Sequence, residues 1–202
     1  MAVTKLSTSG LISFARYNTL LAGNAPFDPS SYDLLATEIL TSTQSSVTFS
    51  SLGDYAAAYQ HLQIRLVGRS DSTQQYEDAI LRFNGDTGSN YSTHGLSGTG
   101  SSVVSNANTS QTSIPIDRIA GGSSSSNIFG TQIIDILDAF ETTKYKTTRS
   151  LGGYYVNVGR IDLRSGLWQD TDAIDSILID PTTGSNLVSG TRISLYGLKA
   201  GA

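Results

Sequence analysis

The chain has 202 residues, of which 38% are hydrophobic and 15% charged, with 13 Lys and Arg against 17 Asp and Glu and a net charge of -4. That length suits one sizeable core with an appendage, and the acidic balance disfavours a surface that tracks nucleic-acid phosphates, which needs clustered cations. The absence of cysteine removes disulfide scaffolds, thiolate metal sites and cysteine nucleophiles, and no apolar run reaches the ~18 residues of a membrane helix.

Residues 1–32 differ in character from the rest of the chain. Leu11, Phe14, Tyr17 and Leu21 fall near helical spacing, Gly23-Asn24 can stop a helix, and Pro26 and Pro29 make the exit extended. Arg16 interrupts the apolar core that a signal peptide would need, so secretion by that route is not expected. The sequons at Asn90 and Asn108 therefore carry no weight. The pattern predicts one short amphipathic helix or arm, which packs on its own domain or is covered by another protein.

Residues 33–202 read as strands. Segments 35–40 and 47–52 come first, followed by a turn or single helical turn at 53–60. In 61–67 and again in 79–84, apolar and polar residues alternate. This is the period of a strand with one buried face, and two such strands so close in sequence are expected to pair as antiparallel neighbours at the centre of a sheet. Asn84-Gly85 predicts a tight hairpin turn, since both residues tolerate positive φ. The polar stretch 84–113 is too long for an unstructured loop, which predicts a strand pair or a contact loop. Pro115 marks 114–119 as an edge strand, GGSSSSN at 121–127 reads as a flexible connector, and the β-branched run 128–137 reads as a central strand. Segments 147–158 and 160–168 are separated by Gly159, which can reverse the chain. Strands at 173–179 and 192–198 close the domain, with a turn at 181–184 between them. Roughly nine strands with no long helical pattern predict an all-β fold, an antiparallel β-sandwich of jelly-roll-like arrangement.

Chemistry is thinly represented. His61 and His94 are the only histidines, and no serine elbow, HExxH or phosphate loop occurs. No catalytic residue, metal ligand or cofactor site is therefore expected. A glycosidase needs only two carboxylates brought together by the fold, which spacing along the chain does not reveal. Asp135 and Asp138 have opposite strand parity, so they point to opposite faces and are expected to meet arginines. Arg65, Arg82, Arg149, Arg160, Arg164 and Arg192 lie within strand patterns, where cross-strand carboxylates are the expected partners. Asp86, Gly88 and Asn90 read as a turn in preference to a calcium loop, and Asp170, Asp172 and Asp175 as a solvated loop. Trp168, Tyr154, Tyr155 and Tyr91 are the aromatics available to stack on a sugar ring, although a lone Trp at a strand end is more often a core residue.

Several segments carry a resemblance: YQHLQIRLVGRSD at 59–71, LRFNGDTGSNYSTHGLSG at 81–98, IFGTQIIDILDAFETTKYKTTRSLGG at 128–153, RSGLWQDTDAIDSILI at 164–179 and SLYGLKAG at 194–201. Together they resemble a family of small virion proteins of tailed bacteriophages, common in marine and cyanobacterial phages, that act as capsid decoration (cement) proteins or fibre-like proteins. The opening MAVTKLSTSG is similar to the N-termini of phage fibre and head-surface proteins. The resemblance implies a non-enzymatic protein of the capsid surface, a homo-oligomer and by analogy a trimer, whose partner is the major capsid protein. In that setting the apolar leader is expected to dock on the shell through Leu11, Phe14, Tyr17, Leu20, Leu21 and Phe27. The alternative it implies is a head or tail fibre module that binds host-surface glycan through Tyr91, Tyr154, Tyr155 and Trp168.

Overall fold

The computed structural model describes residues 31–156, 158–182 and 185–199. The docking contacts expected at Leu11, Phe14, Tyr17, Leu20, Leu21 and Phe27 lie outside the described residues. The chain divides at Ser30, and Ser31 onward forms one compact unit.

Twelve strands form among the described residues: β1 (Tyr32–Ile39), β2 (Val47–Phe49), β3 (His61–Gly68), β4 (Tyr76–Phe83), β5 (Tyr91–Gly98), β6 (Val103–Gln111), β7 (Ile114–Ala120), β8 (Gly130–Leu137), β9 (Lys146–Val156), β10 (Val158–Trp168), β11 (Ile177–Pro181) and β12 (Arg192–Leu198). They make two antiparallel sheets. One has eight strands in the order β1-β12-β3-β8-β9-β10-β5-β6, and the other has four in the order β2-β11-β4-β7. The expected all-β antiparallel sandwich is what the chain builds, with unequal sheets where a jelly roll divides its strands evenly.

The core lies where the small sheet covers the large one. Leu62, Ile64 and Leu66 of β3, Ile134 and Ile136 of β8, and Ile193 and Leu195 of β12 face Leu81 and Phe83 of β4, Ile114 and Ile116 of β7, and Ile177 and Ile179 of β11. Burial of each such side chain is worth about 1.5–3 kcal/mol, and their period-two spacing is what gives each strand one inner face.

Three expectations about pairing need correction. β3 and β4 are not neighbours: β3 pairs with β12 and β8, whereas β4 pairs with β11 and β7. Alternation shows that a strand has a buried face but not which sheet it joins, and here the two faces bury into the same core from different sheets. Asn84 and Gly85 do take positive φ, 50° and 67°, and the Asp86 N–H closes the turn on the Phe83 carbonyl at 2.8 Å. That turn connects the two sheets, however, because β4 and β5 belong to different ones. In the β9-β10 hairpin Val156 already pairs with Val158, so the reversal precedes Gly159, which lies inside β10.

Other readings hold. The polar stretch contains the β5-β6 hairpin. β7, which carries Pro115, is an edge, and β8 lies inside the large sheet. The run at 121–127 is not a loose connector, because the Arg69 guanidinium donates to the carbonyls of Gly122, Ser124, Ser125 and Ile128 at 2.8 to 3.2 Å. A planar fork with five donors satisfies several loop carbonyls at once, a role that serine-rich composition does not announce.

Candidate functional site

The four aromatics expected as sugar platforms do not form one surface. Trp168 and Tyr91 are cross-strand partners on the inner face, 1% and 0% exposed, with ring centroids 6.3 Å apart and Phe83 packed 5.4 Å from the indole. The Trp168 Nε1–H donates to Asp86 Oδ2 at 2.7 Å. Asp86 also accepts from the Asn90 amide and the Gly88 N–H. The indole hydrogen bond, ahead of these, holds its carboxyl below the ordinary range. The D-x-G-x-N segment is therefore a turn that satisfies a buried indole. Burial pushes the Tyr91 hydroxyl up to about 12. Neither ring offers a face to a ligand, which corrects their assignment as glycan contacts. Tyr154 is also buried, against Tyr76, and its hydroxyl accepts from Arg118 at 3.3 Å. Only Tyr155 is exposed, at 69%.

The histidines are separate. His61 on β3 accepts the Asp138 N–H at Nδ1, 2.8 Å, and exposed His94 lies on β5 with β8, β9 and β10 between them. Of the two acids expected to meet arginines, Asp135 within β8 pairs with Arg149 of β9 at 2.7 Å as expected, while Asp138 just past β8 meets Lys144 at 2.7 Å in place of an arginine. The Lys144 hydrogen bond is the main reason the Asp138 carboxyl lies low. Of the strand arginines, Arg160 grips Asp162 on its own strand, and Arg65 lies over the stacked rings of Tyr32 and Tyr196, 5.6 and 5.1 Å from their centroids. Among the described residues no three His, Asp or Glu side chains gather as a metal site.

The fold does bring two carboxylates together. Asp117 of β7 reaches across the sandwich to Asp162 of β10, and they are 0% and 1% exposed. Burial, and next the charge of Asp162, raise the Asp117 carboxyl to about 7, against the Arg118 backbone N–H and the Arg164 charge, which act the other way. Burial also opposes ionisation of Asp162, but hydrogen bonds from Arg160 and Ser97 outweigh it and hold that carboxyl low. Paired acids are the raw material of hydrolysis. Enclosed between two sheets, these two are out of reach of a polysaccharide.

Among the described residues, the outer face of the large sheet carries a row of exposed apolar side chains. Register places Ile133, Leu151, Leu163 and Leu96 directly opposite one another across β8, β9, β10 and β5, exposed by 43%, 50%, 45% and 49%. The parallel row Val67, Thr131, Gly153 and Ile161 borders it. Gly153 carries no side chain, which leaves a depression of about 540 Å³ lined by Arg65, Val67, Thr131, Ile133, Leu151 and Ile161. The row on the other side, Gln63, Asp135, Arg149, Ser165 and His94, is polar. An apolar stripe with a polar border is the anatomy of a protein-binding surface. Its signal was present in the sequence as the odd-numbered leucines and isoleucines of β8 to β10, which a two-sided reading of those strands would have separated from the core set.

No family model matches this chain, and no curated protein matches it.

Proposed function

We propose that this chain is a non-enzymatic virion structural protein, a capsid decoration protein that binds the assembled shell of major capsid protein. The observation that carries this reading is the outer apolar row Ile133, Leu151, Leu163 and Leu96. Four aliphatic side chains about half exposed represent on the order of 4 kcal/mol of burial still available to a partner. The resemblance to phage head-surface proteins supplies the identity of that partner. A protein that binds only the assembled shell stabilises it by mass action, and repetition over a lattice multiplies a modest contact. The glycan-binding alternative retains a single exposed aromatic, Tyr155, of the four assigned to it.

The test is co-sedimentation of the full chain with decoration-free shells assembled from the major capsid protein of the same genome. The wild type is expected to bind, and the double variant Leu151→Lys, Leu163→Glu, whose opposite charges face each other across the β9–β10 pair, to lose at least about tenfold in affinity with little change in melting temperature. Absence of wild-type binding, or equal binding by the variant, would overturn the reading. Glycan-array signal abolished by Tyr155→Ala would favour the carbohydrate module.

A further inference from the structure

Among the described residues the sandwich has four edge strands, and three of them carry the devices that keep an edge from pairing. β2 is three residues long. β7 contains Pro115 and meets its neighbour through a bulge. β1 bears Asp33 and Glu38 and is bulged between Leu34 and Ala36. The fourth edge, β6, has none of these over most of its length. Its nine residues, VVSNANTSQ, include no charge and no proline. Residues 103–110 are all exposed, so no described residue buries either face of the strand. Its one irregularity is confined to the far end, where the register with β5 shifts between Tyr91 and Thr93 and Ser110 takes φ 54°.

The hairpin register fixes which backbone groups β6 offers. The Thr99 N–H donates to the Ser102 carbonyl at 3.0 Å, and in an antiparallel ladder bonded and unbonded pairs alternate. The N–H and C=O of Val103, Ser105 and Ala107 therefore point away from β5, a ready template of donors and acceptors over five residues.

We propose that β6 is a dimerisation edge, pairing antiparallel with β6 of a second copy about a two-fold axis at Ser105. A two-fold contact sets each residue against an image from its own strand, a condition that charged strands fail through like-charge repulsion. Here Ser105 meets Ser105, Val103 meets Ala107 and Val104 meets Asn106, with no charge among them. An axis perpendicular to the sheet keeps the same face of both copies on one side. Ser105 is the register partner of Leu96, so the outer apolar rows of the two copies would look in one direction. The pairing of edges is independent of the virion reading.

Five paired residues bury less than the ~800 Å² per partner of a durable interface. The dimer is accordingly weak and concentration-dependent. Sedimentation equilibrium of the full chain over a wide concentration range is expected to fit a monomer–dimer scheme. Ser105→Pro removes only an outward N–H, a position that tolerates proline, and it is expected to raise the dissociation constant at least about tenfold with little change in melting temperature. Ser105→Lys, which places like charges at the axis, is expected to do the same and decides the matter should the proline variant misfold. Because the chain has no cysteine, Ser105→Cys is expected to give a disulfide-linked dimer on oxidation, the opposed Cα atoms lying ~5.5 Å apart. A monomer at every concentration, a trimer, or a dimer indifferent to both the Pro and Lys substitutions would overturn the proposal.

Discussion

Replacing Asp117 by Asn should remove a loss of stability that the wild type suffers as pH rises from about 4 to 7. Asp117 lies between the sheets beside Asp162, with Arg164 on the same strand as Asp162 contributing favourable charge and Arg160 already engaged by Asp162. In the unfolded chain the carboxyl titrates at its ordinary 3.8, whereas in the fold burial and Asp162 raise it to about 7. The folded state thus binds more protons than the unfolded state across that window, so this group's contribution to stability is intact below about pH 4 and falls as pH rises to 7. The loss over the window is about 4 kcal/mol. Asn presents the same shape, donates an N–H to Asp162 as the protonated acid does, and does not titrate. Urea unfolding of wild type and Asp117→Asn at a series of pH values from 4 to 8 measures the difference directly. Groups held low in the fold, such as Asp86 and Asp138, weaken both proteins equally in acid and cancel. The expected result is a stability gap that moves in favour of the variant by up to about 4 kcal/mol between the two ends. Parallel curves would show that Asp117 is not protonated in the fold and would refute the reasoning.

Two more outcomes rest on polar contacts between loops and the sandwich. Arg69→Ala strips the partners from four carbonyls of the 121–128 loop and should cost about 2–3 kcal/mol in chemical denaturation, with hydrogen exchange in that loop accelerated ahead of the core. Asp86→Ala leaves the Trp168 indole N–H buried without an acceptor. It should destabilise by about 2 kcal/mol and alter the emission of the single tryptophan, while Asp86→Asn retains most of the stability.

The strands themselves were legible in the order of residues. Alternation at 61–67 and 79–84, the glycine and serine punctuation and the absence of helical periodicity specify strands with one inner face, because side-chain direction along a strand depends only on parity. Pro115 likewise announced an edge, since a missing N–H is a local property. Which strands became neighbours was not local. β3 and β4, seven residues apart, joined different sheets, β3 pairing with β8 and β12, and bury their apolar faces in one shared core. The same limit hid the site. Trp168 and Tyr91 were visible as aromatics, but their burial rests on cross-strand pairing and on an acceptor for the indole N–H, Asp86, 82 positions away. The row Ile133, Leu151, Leu163 and Leu96 exists only in the register of four strands, and the Asp117–Asp162 pair exists only because β7 crosses above β10. Parity along the chain follows from covalent geometry. Opposition across sheets follows from the total apolar area that the whole chain can remove from water, and that quantity belongs to the assembled sandwich alone.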